Sequence, residues 1–260
     1  MLQKDRDLII DANIYLGNWA LRRITGGNAD AVIQMMDSFE IEKAFVSSMN
    51  GVLYRNCNEA NIELLDGIGG TYDRLVTFAV INPAYPGWED DIVDCFEEFG
   101  FQGVKIHPGF HGYRIADEQV QPFFQELQER GIPISYSARM EEGIEHWALR
   151  GLENPTGREV DKLLSDFPGL RMLITDLIGF DDIYAQLIPR ENLWLDISHL
   201  RRGDELEVMV KRFGASRLVY GSAFPFRCIN SPMIVMEHAR ISEQERDAIM
   251  GLNAERFLNE

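Results

Sequence analysis

Short, almost unbroken apolar runs recur along the chain, each followed by a stretch whose apolar residues fall at helical spacing. The runs are DLIIDAN (7–13), KAFVSSM (43–49), RLVTFAVI (74–81), QGVKIH (102–107), IPISYS (132–137), LRMLITD (170–176), NLWLDIS (192–198) and RLVYGS (217–222). Their continuity predicts strands covered on both faces. Between them, ADAVIQMMDSFE (29–40) places Val32, Met35, Met36 and Phe39 on one stripe, and WEDDIVDCFEEFG (88–100) does the same with Ile92, Phe96 and Phe99. EQVQPFFQELQERG (118–131) stops at Gly131, and GREVDKLLSDF (157–167) follows Thr156 as its N-cap. Ser242 with Glu245 three residues later predicts a capping box at the last helix.

Strict alternation of strand and helix implies parallel strands joined by right-handed crossovers. Eight such units of about 30 residues fill the roughly 250 residues of a (β/α)8 TIM barrel. The expectation is therefore one α/β domain over residues 1–260, with an open doubly wound sheet as the weaker alternative. In such a barrel the chemistry sits where strands end and βα loops begin. The longest of those loops, 15–27, 107–117, 138–156 and 223–232, carry Trp19, Phe110, Tyr113, Trp147, Phe224 and Phe226. These aromatic residues suggest a lid over a polar floor.

Composition narrows the partners. The formal net charge is −17 and no Lys/Arg-rich run occurs, so no nucleic acid is expected to bind. Three scattered cysteines, Cys57, Cys95 and Cys228, form no C-x-x-C and read as buried thiols of a reducing cytosol. The chain begins with MLQKDRDLIID, which has no signal-peptide apolar stretch, and no segment has the apolar length of a membrane span. A cytoplasmic protein without membrane contact is expected. The glycine-rich pieces TGGN (25–28) and GIGG (67–70) lack the strand-to-helix phosphate-loop pattern and support no nucleotide site.

The strand ends have a recognisable order. IIDANIYLG opens the chain, FQGVKIHPG forms the fourth strand and RGIPISYSA the fifth. FPGLRMLITDLIG forms the sixth and LVYGSAFPF the eighth, and ISEQERDAIMGLNAERFL closes the chain. Together, over nearly the full length, they resemble the amidohydrolase-related family of TIM-barrel metal-dependent hydrolases and decarboxylases. The resemblance implies a His-x-His pair on the first strand, histidines ending the fifth and sixth, and an aspartate on the eighth. Here those positions hold Asn13 and Tyr15, Ser137, Asp176 and Ala223.

A catalytic zinc site needs about three imidazole, carboxylate or thiolate donors and an open position for water. Asn offers a neutral amide, Tyr must lose a proton of pKa about 10, Ser is a poor donor and Ala is none. Only Asp176 keeps a good ligand, so no metal, no other cofactor and no metal-activated water are expected. His107 and His111 are the only histidines close in sequence, and Pro108 and Gly109 break helical spacing between them. His146, His199 and His238 carry no argument beyond their presence.

Residues two apart on a strand point the same way. Asn13 with Tyr15, and Lys105 with His107, are expected to face the axis, joined by Ser137, Asp176, Ser198 and Asp196, with Arg139 just beyond. Lys105, His107, Asp176 and Tyr15 are the candidate catalytic groups. Asn13, Ser137, Arg139 and Ser198 are the candidate ligand-binding ones. The bland reading stands beside this: Lys105 neutralises Asp176 or Asp11 as a buried pair, His107 is inherited scaffold, Tyr15 fills a vacated cavity, and Arg139 is a solvated charge. Three functions follow. The first is a metal-free pseudoenzyme or small-carboxylate-binding protein. The second is a metal-independent lactonase or decarboxylase for a small carboxylate, and the third a metal-dependent hydrolase with a rebuilt site. A homo-oligomer would suit such a barrel, although no surface patch is legible.

Overall fold

The computed structural model describes residues 8–69, 73–140, 156–177 and 182–260. Eight strands form one parallel sheet in sequential order: β1 (Ile10–Leu16), β2 (Lys43–Ser48), β3 (Leu75–Val80), β4 (Gly103–Ile106), β5 (Ile134–Ser137), β6 (Met172–Thr175), β7 (Leu193–Asp196) and β8 (Leu218–Val219). The sheet closes on itself. Ala12 N–H donates to Tyr220 O at 2.9 Å and Tyr15 N–H to Phe224 O at 2.8 Å, so β1 pairs with the chain leaving β8. The structure is the expected (β/α)8 barrel and not an open sheet.

The helices follow the strands in chain order: α1 (Ala29–Ser38), α2 (Cys57–Ile68), α3 (Trp88–Val93), α4 (Pro108–His111), α5 (Gln121–Arg130), α6 (Gly157–Asp166), α7 (Asp182–Gln186), α8 (Gly203–Phe213), α9 (Asn230–His238), α10 (Glu243–Asp247) and α11 (Asn253–Asn259). Capping boxes open α6 at Thr156 and α10 at Ser242, as their sequences require. Gly131 ends α5 with φ +66°, a conformation that spares it the Cβ clash of other residues. Among the described residues, no helix is long and apolar enough to cross a membrane.

Two local expectations change. Strand β1 extends to Leu16, so Tyr15 is a strand residue and not the start of a loop. A register irregularity between Asp11 and Ile14 lets it span more residues than β2 does. Cys228 is exposed, whereas Cys57 and Cys95 are buried.

Inside the barrel the contents are layered. At the end where the strands begin, Phe45, Phe78, Leu173, Trp194 and Phe257 pack into an apolar plug. Phe45 stacks on Phe78 at 5.2 Å between centroids, and Phe257, from α11, meets Trp194 edge-on at 5.5 Å. A polar layer lies beyond it, and an aromatic cap closes the other end. Outside the strands, a larger apolar layer joins them to the helices.

Candidate functional site

The polar layer is built from strand ends. Asn13 and Tyr15 on β1, Lys105 on β4, Ser137 on β5, Thr175 on β6 with Asp176 just beyond it, and Asp196 on β7 are at most 5% exposed. A charged group so placed is tolerable only when its hydrogen-bonding capacity is met. Asp176 meets that condition. Its Oδ1 accepts from Asn13 Nδ2 at 2.8 Å; its Oδ2 accepts from Tyr15 OH at 2.6 Å, Ser137 Oγ at 2.7 Å and Thr175 Oγ1 at 3.2 Å.

Lys105 does not touch that carboxylate directly. Its ammonium donates to Asn13 Oδ1 at 2.8 Å and to Thr175 Oγ1 at 3.0 Å, and lies 4.5 Å from the centroid of the Tyr15 ring. Two hydrogen bonds and one cation–π contact occupy its three N–H bonds. Asn13 and Thr175 each accept from the lysine and donate to the aspartate, so cation and anion are joined through two neutral relays. Asn13 Nδ2 donates as well to Asp196 Oδ2 at 3.0 Å. The expected pairing of Lys105 with Asp176 exists, but it is indirect.

Burial sets the protonation states. Alone it would push the Asp176 carboxyl up, but the Lys105 charge and the hydrogen bonds from Tyr15 and Ser137 outweigh it and hold the group down at about 2. For Asp196 the hydrogen bonds from Ser198 and Asn13 and the Lys105 charge do not suffice. Burial first, then repulsion from Asp176, raise it to about 7. Burial likewise raises Asp11 to about 6, against hydrogen bonds from Ser222 and the Asn13 N–H. Lys105 falls to about 8 because burial outweighs its carboxylate neighbours. Burial and the adjacent Asp176 push Tyr15 well above the ordinary phenol value, so it stays a protonated donor.

The remaining candidates divide. His107 is buried beside Tyr15, 6.3 Å between ring centroids, and neither ring nitrogen has a hydrogen-bond partner among the described residues. Burial, then the neighbouring His111 and Lys105, hold its pKa well below the usual imidazole value, so it is neutral. His111 turns away to Gly51 O at 3.2 Å, and the two histidines share no ligand geometry. Ser198 is buried next to the Asp196 carboxyl and helps lower its pKa. Arg139 is exposed at the end of β5, outside the network. His146 and Trp147 lie outside the described residues.

Thr175 was not singled out by the sequence, and neither were His199 and Arg227 as partners. His199 Nε2 lies 3.9 Å from Asp176 Oδ1 and accepts from Arg227 Nε at 3.0 Å. Thr175 could have been suspected from its place beside Asp176 at a strand end; nothing in the sequence links residues 199 and 227.

Over this layer sits the cap. Trp19 and Phe226 meet edge-on at 5.3 Å, Tyr15 and Phe226 at 5.3 Å, and Trp19 and Phe110 at 5.8 Å. Of the aromatic residues expected in the lid, Trp19, Phe110 and Phe226 form this cap among the described residues. Tyr113 is buried in the outer apolar layer and Phe224 packs against that layer. Backbone strain gathers at the same mouth. Asp176 and Ala223 have φ of +59° and +55°, and only for Asp does a short polar side chain ease that conformation.

A model of the amidohydrolase family matches residues 19–259. The chain belongs to the amidohydrolase family. Solved structures with the same fold include 2,6-dihydroxybenzoate decarboxylase from Rhizobium (17% identity, TM-score 0.71, 97% of this chain and 98% of that one). A dihydroxybenzoic acid decarboxylase from Polaromonas sp. JS666, with bound manganese and the inhibitor 2-nitroresorcinol, aligns with 17% identity and TM-score 0.69 over 97% of both chains. A putative amidohydrolase from Staphylococcus aureus aligns with 14% identity and TM-score 0.74 over 97% of this chain and 99% of that one. No curated protein matches the sequence.

The metal that such relatives suggest does not fit the residues here. Asn13 Oδ1 is taken by Lys105, the Tyr15 phenol is protonated, Ser137 donates its hydroxyl to Asp176, and Ala223 has no donor. The ammonium of Lys105 also places a positive charge among them. Among the described residues no group of three or more His, Cys, Asp or Glu side chains could hold a metal ion.

Proposed function

We propose that this amidohydrolase-family barrel is a metal-free pseudoenzyme, in which a lysine-centred hydrogen-bond network replaces the metal centre as the charge that organises the strand ends. The observation that carries this reading is the saturation of Asp176. Both of its oxygens accept hydrogen bonds from within the barrel, and its counter-charge Lys105 is engaged by the same relays. A carboxylate reserved for catalysis keeps a free lone pair or a free proton facing substrate. This one faces Asn13, Tyr15, Ser137 and Thr175 under an aromatic cap.

His107 favours a second reading, a metal-independent decarboxylase for a small aromatic carboxylate. It is a neutral imidazole whose two nitrogens have no partner among the described residues, beside the buried ammonium of Lys105. A carboxylate ligand would take Lys105 as its counter-charge, and His107 would handle the proton. That route requires Tyr15 and the cap to move aside, because the substrate would need the volume they fill.

The deciding experiment incubates metal-stripped protein with 2,6-dihydroxybenzoate, with and without added manganese, and follows carbon dioxide release. The pseudoenzyme reading expects no release under either condition and no calorimetric manganese binding. Chelator-resistant turnover that disappears in His107→Ala would establish the second reading instead. Turnover that depends on manganese would sink both.

A further inference from the structure

Four rings meet over the polar layer, and one of them is held differently from the rest. Tyr15 stands on β1, and its hydroxyl donates to Asp176 at 2.6 Å. Phe110 belongs to α4, and its N–H donates to His107 O at 3.0 Å. Phe226 lies in a turn closed by the Arg227 N–H on Ala223 O at 3.1 Å, and the Arg227 side chain is tied in turn to His199. Trp19 belongs to neither helix nor strand. In the loop between Gly17 and Gly27 it is buried, whereas Asn18, Ala20, Arg22, Arg23 and Thr25 are exposed and Leu21 and Ile24 half-buried.

That loop has the build of a hinged segment. Its ends are joined by the Gly17 N–H on Gly27 O at 2.7 Å, which closes it on itself apart from β1 and α1. Gly17 and Gly26 hold φ of +115° and +91°, conformations that glycine takes without strain, and small residues at loop ends absorb backbone rotation. Exposed contacts help to hold it down: the Asn18 N–H on Asn50 Oδ1 at 2.8 Å, and the Arg22 guanidinium 5.8 Å from the Phe226 centroid. Contacts of that kind are weak in water.

The rings around the indole form a clamp of defined geometry. Phe226 meets it at 5.3 Å and 81°, and Phe110 at 5.8 Å and 80°. Edge-to-face contacts of this kind suit any planar ring system of similar size. Met49, Val52 and Met140 complete the apolar walls, and thioethers adapt to aromatic partners. A second observation points to an occupant. His107, buried with its ring 6.3 Å from that of Tyr15, leaves both nitrogens without a partner among the described residues, a cost that permanent closure never offsets.

We propose that Trp19 is a displaceable plug: the loop turns on Gly17 and Gly26, the indole withdraws, and a free planar aromatic molecule takes its place against Phe110 and Phe226. The mouth is self-occluded in the closed state, and Trp19 competes with any ligand of the clamp as a tethered analogue. This goes beyond the reading of the polar network, because it holds whether or not the mouth is catalytic.

The test has two arms. In the first, indole is titrated calorimetrically into Trp19→Ala. It should bind about tenfold more tightly than to the unaltered chain, and Phe226→Leu in the same background should weaken it by about the same factor. In the second, NMR compares exchange of the Trp19 indole N–H in the unaltered chain with that of Trp194 in the apolar plug. Both tryptophans are at most 5% exposed. Trp19 should nevertheless exchange about a hundredfold faster, because loop opening frees it while Trp194 waits for unfolding. The second arm decides even if Trp19→Ala folds poorly. The proposal is overturned by absence of indole binding to folded Trp19→Ala at millimolar concentration, by equal affinity in the unaltered chain, by indifference to Phe226→Leu, or by Trp19 exchange no faster than that of Trp194.

Discussion

The two ends of the barrel interior solve the same packing problem with different chemistry. Where the strands begin, Phe45, Phe78, Trp194 and Phe257 fill the space with rings. Where they end, Asn13, Lys105, Thr175, Asp176 and Asp196 fill it with hydrogen bonds, and only above them do Trp19, Phe110 and Phe226 restore an apolar surface. The apolar plug tolerates imperfect geometry, because dispersion and the hydrophobic effect are not directional. The polar layer does not, because each buried charge is stable only while its partners stay in place. The strand-end layer has thus not become a second apolar core. It keeps a buried positive charge, carried by Lys105.

The sharpest way to break the comparison is Asp176→Ala. It leaves Lys105 buried without the strongest of its carboxylate neighbours and should cost about 3–5 kcal/mol in urea unfolding. Replacing Lys105 with Met in that background should recover part of the loss; strict additivity of the two substitutions would refute the relay. Phe257→Ala at the opposite end should cost about 3–4 kcal/mol, and this cost should not vary between pH 5 and pH 8.

The pH dependence separates the ends further. A carboxyl with a raised pKa binds its proton more tightly in the folded chain, so its contribution to stability weakens as pH rises from the unfolded value toward the folded one. For Asp196 that window runs from about 4 to about 7, and for Asp11 from about 4 to about 6. Asp196→Asn should flatten stability across that window, where one group contributes at most about 1.4 kcal/mol per pH unit. An unchanged slope would mean that Asp196 is ionised at little cost. Asp176 acts in the other direction. Its lowered pKa gives stability that is present above about 4 and lost as pH falls toward 2. Smallest is Tyr15→Phe, which keeps the ring over Lys105 and removes one of the donors to Asp176. It should cost about 1–2 kcal/mol, with guanidinium unfolding as the measurement.

Much of the fold was legible before the structure. Seven of the eight apolar runs contain a strand and the first overlaps one, Thr156 and Ser242 open helices with capping boxes, and Gly131 ends α5. These features are local, set by periodicity and by the few residue types that satisfy helix ends. The site was legible in part. Asn13, Tyr15, Lys105, Ser137 and Asp176 do meet, because each stands at a strand end and barrel closure brings strand ends together. Arg139 stands where expected, just past the end of β5, and there it is exposed and outside the network. His199 went unrecognised because its contacts with Asp176 and Arg227 are remote in sequence, and Thr175 because its hydrogen bond from Lys105 crosses 70 residues.

The sequence alone determined the barrel, through the spacing of its apolar runs, and the kinds of side chain that stand at its strand ends, through the residue types at 13, 15, 105, 137 and 176. Only the tertiary structure decided what the survivors do. It settled that Lys105 reaches Asp176 through Asn13 and Thr175, and that Trp19, Phe110 and Phe226 cap this layer among the described residues. The division has a physical origin. Periodicity acts over a few neighbouring residues. The choice of hydrogen-bond partner among buried groups more than 60 residues apart depends on distances of a few tenths of an ångström, which exist only once the sheet has closed.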